Sequence, residues 1–185
     1  MRAVILDVHE HGEADRMYTL LTDTHGVIVA RAQSVRLEKS KLRGALQPYA
    51  VLRIGCIHGN QWKITDVVCE VGGTLPLPVQ QLLGRVGALV HRLVSDDEPI
   101  EDVFAVYAEG LRYVHTNALG THECAALETV LVIRVLERLG YFRGGGYYEH
   151  IIASPYITDI ILTEAMRLTT RLIPQINRSM REIQL

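Results

Sequence analysis

The sequence predicts an α+β protein, with a small five-stranded β-barrel or sandwich over residues 1–74 and an all-α half over residues 75–185. Three observations carry that reading. Short β-branched and aliphatic runs separated by Gly-containing or polar breaks occupy the first 71 residues. A long polar segment, Gln33 to Pro48, separates the third run from the fourth. After Leu75-Pro76-Leu77-Pro78 the apolar residues recur at three and four instead of two.

The strands are expected at Arg2 to Val8, Arg16 to Thr22, Val27 to Ala32, Tyr49 to Ile57 and Trp62 to Val71. His9 to Ala14 breaks the first pair, Thr24-His25-Gly26 turns the second, and His58-Gly59-Asn60-Gln61 reads as a hairpin turn in the last. In the fourth run Ala50, Leu52, Ile54 and Cys56 alternate with Tyr49, Val51, Arg53 and Gly55, the signature of two strand faces. Leu82, Leu83, Val86, Leu89, Val90 and Leu93 form one helical stripe, and Ile100, Val103, Phe104, Tyr107, Leu111 and Val114 form another. Asp96-Asp97-Glu98-Pro99 is an expected helix start. A third helix, capped by Thr121, should run to Leu139 and stop at Gly140. The last helical stretch is expected from Tyr156 to Glu182, bent at Pro174.

Composition narrows the function classes. Of 185 residues 48% are hydrophobic and 22% charged, too apolar a mix for a disordered chain. No apolar run approaches the roughly 20 residues of a membrane span, and Asp7 interrupts the apolar start, so an unsecreted, cytoplasmic protein is expected. Cys56, Cys69 and Cys124 are odd in number and lack C-x-x-C spacing, which argues against a disulfide framework, a zinc site or any other cofactor.

Catalytic patterns are missing. His9 and His11 lack a third metal ligand. His122-Glu123-Cys124 has neither the H-x-E order nor the P-C-x-x-C partner of a deaminase. Gly144-Gly145-Gly146 follows a helix instead of opening one, so it cannot cradle a phosphate with helix-terminal amides. A non-enzymatic protein is the expectation.

The formal charge of −2 hides a segregation. Arg31, Arg36, Lys39, Lys41, Arg43 and Arg53 face a single acid, Glu38, within Arg31 to Arg53, whereas Val71 to Leu185 is net acidic. Four of these cations fall within Arg36 to Arg43, in a loop between two strands, together with the hydroxyl of Ser40. Such a loop is either a solvated surface turn or a phosphate grip. Tyr18, Tyr49 and Trp62 lie in the same half, where aromatic rings either fill the core or stack on unpaired bases. Arg36, Lys39, Lys41 and Arg43 are the candidate DNA-binding residues. Arg16, Arg31, Arg53 and Lys63 could extend the groove, and Tyr49 and Trp62 are the candidate stacking rings.

Two motifs carry a resemblance. Gly12-Glu13-Ala14-Asp15-Arg16, followed by Tyr18-Thr19-Leu20-Leu21-Thr22 and Thr24-His25-Gly26, resembles the opening of the RecO family of bacterial DNA repair proteins. Lys39-Ser40-Lys41-Leu42-Arg43-Gly44-Ala45-Leu46-Gln47-Pro48-Tyr49 resembles that family's basic loop and the strand entry after it. Glu128 to Phe142 is similar to its central helix. The resemblance implies an N-terminal OB-fold and a helical domain. It also implies a nucleoid-associated recombination mediator that binds single- and double-stranded DNA, anneals strands, and works with RecR to load RecA. Contact with the acidic C-terminal tail of single-strand-binding protein belongs to the same picture. Arg134, Arg138 and Arg143, on and just after the third helix, are the residues expected to receive that tail. Many family members carry a C-x-x-C zinc module after the central helix, where this chain has Arg143-Gly144-Gly145-Gly146-Tyr147-Tyr148. The alternative from another class is a protein-interaction adaptor whose barrel binds no nucleic acid.

Overall fold

The structure is a computed structural model that describes residues 1–94, 100–142 and 146–183. Five strands, β1 (Arg2–His11), β2 (Asp15–Thr22), β3 (Gly26–Ala32), β4 (Val51–His58) and β5 (Trp62–Val71), close into a barrel in the order β1-β2-β3-β5-β4. All neighbours are antiparallel except β3 and β5, which run parallel where Ala30 meets Trp62 and Arg31 meets Lys63. This is the OB-fold arrangement that the resemblance implies.

Local chemistry explains the strand ends. The β2–β3 turn closes because Thr22 Oγ1 donates to the Gly26 carbonyl at 3.0 Å and accepts from the His25 N–H at 2.9 Å. Gly26 sits at φ 63°, a conformation that costs glycine little. Strand β1 is longer than expected and runs through His9 and His11, since its register with β2 continues to the His11–Asp15 pair.

Strict alternation fails where the strands are buried on both sides. Ala3, Ile5, Leu20, Ile28, Leu52 and Ile64 fill the barrel. Their neighbours Val4, Leu21, Val27 and Val51 face outward, yet they are just as buried, because they join the apolar cluster of the helices. A strand covered on both faces reads as a continuous apolar run.

The second half contains α1 (Leu77–Leu93), α2 (Glu101–Thr116), α3 (Thr121–Arg138), a short α4 (Glu149–Ala153) and α5 (Asp159–Glu182), with a 3₁₀ turn over Gly146–Tyr148. Pro78 sits in the first turn of α1, where its missing N–H has no intrahelical partner to lose. The expected start at Asp96 to Pro99 lies outside the described residues. Helix α3 is not capped by Thr121: the Glu123 carboxylate reaches back and accepts the Gly120 N–H at 2.7 Å. Gly140, at φ 77°, does end this helix, with the Tyr141 N–H returning to the Leu136 carbonyl at 2.8 Å. Gly110 has no room for a side chain, since a Cβ there would lie 2.8 Å from Leu131 Cδ2. That clearance lets α2 and α3 cross closely.

The stretch expected as one helix from Tyr156 is divided. Tyr156 lies in the link between α4 and α5, and Thr158 caps α5 by accepting the Ile161 N–H at 3.3 Å. Pro174 lies inside α5, on its solvent side. Among the described residues no helix is long and apolar enough to cross a membrane.

Candidate nucleic-acid interface

The basic loop is a chain of tight turns pinned to the barrel. Successive backbone bonds, Leu37 N–H to Ser34 O at 3.1 Å, Ser40 N–H to Leu37 O at 3.1 Å and Leu46 N–H to Leu42 O at 3.0 Å, fold it on itself. Val35 and Leu46 are buried in the barrel core and Leu42 packs against it. With those apolar residues turned inward, Lys39, Lys41 and Arg43 are left exposed. None of the three forms an ion pair with a described residue.

Asp15 fixes the loop's entrance. Its carboxylate accepts the Ser34 N–H at 2.6 Å and the Arg31 Nε–H at 2.7 Å, and a second Arg31 nitrogen lies 2.5 Å away. The Ser34 N–H and the Arg31 guanidinium hold this carboxyl below the usual carboxylate range. Ser34 itself takes φ 53°, a conformation rare outside glycine that the bond from Asp15 supports. The Arg36 N–H donates to the Ala14 carbonyl at 2.9 Å, and the Arg36 side chain to the Gly12 carbonyl at 3.3 Å. The Gly12-to-Arg16 motif is therefore the clamp of the basic loop. Sequence reading singled out its arginine and missed its aspartate, although an acid in a motif that accompanies a basic loop is the available signal.

Four further cations gather at this end of the barrel. Arg36 lies 3.3 Å from Glu10 and Arg16 lies 4.0 Å from the same carboxylate, while Lys63 is the β5 register partner of Arg31. Arg53 does not join them. It stands on the β4 edge next to Arg2 of β1 and is held by Glu70 at 2.6 Å.

The two candidate rings also separate. Tyr49, at φ 58°, accepts a hydrogen bond at its carbonyl from His115 at 2.9 Å, and its hydroxyl lies 3.3 Å from where a Cβ on Gly84 would be. Its half-buried ring lines the seam between barrel and α1, apart from Trp62. Tyr18, the other ring of the barrel half, is a core residue. Trp62 is half-buried and sits between two imidazoles, with centroids 4.9 Å from His25 and 4.5 Å from His58. Both histidines are exposed, so the three rings form one aromatic surface beside Lys63.

The expected receptor on α3 is corrected. Arg134 is 1% exposed, and its guanidinium donates to the carbonyls of Ile151 at 2.8 Å and Tyr156 at 3.1 Å. Burial pushes its pKa down to about 10. It ties the α4–α5 link to α3 and has no face left for a ligand. Arg138 pairs with its neighbour Glu137, and Arg143 lies outside the described residues.

Burial pushes the Cys56 and Cys124 thiols up, away from the thiolate form a nucleophile requires. Among the described residues no group of three His, Cys, Asp or Glu is placed to hold a metal ion.

Comparison with known proteins places these features in a lineage. Residues 1–61, strands β1 to β4 with the loop and clamp, match the family model described as recombination protein O N terminal. The chain is 30% identical over 146 residues to the DNA repair protein RecO of Pelotomaculum thermopropionicum, which covers 75% of this chain and 54% of that protein. It is 30% identical over 131 residues to the DNA repair protein RecO of Myxococcus xanthus, covering 68% of this chain and 54% of that one. The chain thus spans about half the length of these relatives. Both alignments are longer than the barrel and so continue into the helical half, and the chain is similar to RecO proteins in both halves, with the family's N-terminal model matching its first 61 residues.

Proposed function

We propose that this protein is a non-enzymatic, DNA-binding recombination mediator in DNA repair, and that the barrel loop grips the phosphates of single-stranded DNA. One observation carries the reading: Lys39, Lys41 and Arg43 are held out on a loop anchored by Val35 and Leu46, with no ion pair to an acid among the described residues. Solvated cations on a rigid loop release counterions from phosphates and give up little conformational freedom on binding. The ring group at Trp62 supplies a stacking surface next to them. Annealing of complementary strands, assistance to RecA loading with RecR, and a cytoplasmic, nucleoid-associated location complete the proposal, of which the relatives' names support the role in DNA repair. Binding to double-stranded DNA would use the same phosphate contacts.

The test is a salt titration with labelled oligothymidylate. Log affinity should fall against log salt with a slope of about −2 for three phosphates, or about −3 when Arg36 joins, at roughly 0.7 per contact. Changing Lys39, Lys41 and Arg43 together to Glu should flatten that slope. An unchanged slope in a folded variant would leave the adaptor reading standing.

The acidic tail of single-strand-binding protein is reassigned to a groove between α1, α3 and α5. Leu89, Val132, Ile176 and Met180 line its floor, Arg85 and Arg92 its rim, around a space of about 480 Å³. Arg85 is held by both oxygens of Glu128 at 2.6 Å, so a tail carboxylate would compete with Glu128 there, whereas Arg92 has no ion-pair partner among the described residues. Arg92→Glu should weaken capture of a fluorescent tail peptide at least tenfold. Unaltered binding would move the tail elsewhere.

A further inference from the structure

The net acidity of the helical half conceals a second concentration of positive charge. From Met166 to Arg181, α5 carries Arg167, Arg171, Arg178 and Arg181 and no acidic residue. At about 100° per residue these four arginines fall within an arc of about 80°, along about 21 Å of helix. All four are exposed. The opposite face is what holds the helix down: Ala165 and Leu172 are buried, and Leu168, Ile176 and Met180 pack on the helical core.

A polar helix face gains stability by mixing signs at spacings of three and four, and like charges at those spacings repel. Here the acids stand only at the ends, Glu164 three residues before Arg167 and Glu182 four after Arg178, while Arg167 and Arg171 are four apart and Arg178 and Arg181 three apart. The helix dipole favours cations near the C-terminus, where the second pair lies. Pro174 and Asn177 lie between the two pairs, so the cations are spread along the helix and not gathered round one socket. At its far end Tyr141, 41% exposed, lines a groove with Arg178 and Ser179. An extended array of guanidinium groups beside an exposed ring suits a phosphodiester chain.

The stripe and the loop also belong to different parts of the packing. The barrel packs on α1 and α2, whereas α5 packs on α3 and α4. We propose that the α5 arginines form a second phosphate-binding surface, which holds one nucleic-acid strand while the barrel loop holds another. The inference rests on the proposed DNA binding by the loop for its two-strand form, but the stripe's own binding can be read separately.

The experiment uses the full chain and two differently labelled strands of oligothymidylate, which cannot pair with each other, and reads energy transfer between them. Wild type should bring the strands together. Arg167→Glu, Arg178→Glu and Arg181→Glu combined should keep first-strand affinity within about twofold and lose at least tenfold of the transfer. The matching Gln triple, gentler on folding, should lose a smaller part. Conversely, Lys39→Glu, Lys41→Glu and Arg43→Glu combined should leave salt-dependent binding that the stripe substitutions abolish. If the stripe variant bridges strands as well as wild type, or if the loop variant binds no DNA, the second surface is refuted. If stripe substitutions abolish capture of polyglutamate and leave strand bridging intact, the stripe belongs to an acidic protein and the proposal falls. If binding depends on the stripe and is indifferent to the loop, the reading of the loop fails while the stripe stands.

Discussion

The loop after β3 and helix α3 both carry cations that a charge count treats alike, and the fold uses them in opposite ways. In the loop, apolar residues are few and widely spaced, so Val35, Leu42 and Leu46 suffice to seal it while Lys39, Lys41 and Arg43 stay in water. In α3 nearly every neighbour is apolar, and Arg134 is drawn inside with them. A buried guanidinium must find acceptors, and the carbonyls of Ile151 in α4 and Tyr156 in the link after it provide them. Arginine in a polar run therefore marks a surface, and arginine in an apolar run marks a structural tie.

Substitutions should separate the two roles, and the largest effect falls on α3. Arg134→Ala removes the donor of the buried Ile151 carbonyl, leaves the Tyr156 carbonyl to Ser154 Oγ alone, and empties a buried site, so it should cost about 3 kcal/mol of stability, read from urea unfolding. The DNA affinity of the protein that remains folded should be unchanged. If Arg134→Ala is as stable as wild type and fails only in binding, the comparison is wrong.

Next comes the loop. Lys39→Glu, Lys41→Glu and Arg43→Glu combined should lower single-strand affinity about 100-fold at low salt, since attraction to phosphate becomes repulsion. Its unfolding free energy should stay within about 0.5 kcal/mol of wild type, as for exposed sites without partners. Equal losses in affinity and stability would make the loop a structural element after all.

Trp62 lies between these extremes, half in the barrel core and half on its surface. Trp62→Ala should cost about 1 kcal/mol in single-strand binding if one base stacks there. His58→Ala, which removes the neighbouring ring from an exposed position, should cost less. Because Trp62 is the only tryptophan, its fluorescence reports directly on strand binding. No change in its emission at saturating oligothymidylate would exclude base contact.

Asp15→Asn should give the smallest effect. Its folded-state pKa is lowered, so the carboxylate stabilises the fold fully above its ordinary value near 4. That contribution fades as pH falls through the depressed value. Melting curves of wild type and Asp15→Asn should therefore differ at neutral pH and converge in strong acid. The loop, freed at Ser34, should also become the first site of proteolysis. A gap in melting temperature that widens on acidification would contradict the clamp.

The sequence by itself determined the two halves, the five strands, the long loop and its charge, because each leaves a local signature in period, turn residues or composition. It also carried the resemblance to the RecO family, through the Gly12-to-Arg16 and Lys39-to-Tyr49 motifs. Only the tertiary structure decided which charged residues are available. Glu10, Asp15 and Glu70 neutralise Arg16, Arg31, Arg36 and Arg53 from other strands or turns, and such pairings depend on register across the barrel. The fold also set Tyr49 at the seam with α1 and tied Arg134 to the carbonyls of Ile151 and Tyr156, 17 and 22 residues away. The stripe on α5 was present in the sequence at helical spacing, but an average over an acidic half concealed it until the buried face of that helix was known. Charge is a property of a residue, whereas exposure is a property of everything that packs around it.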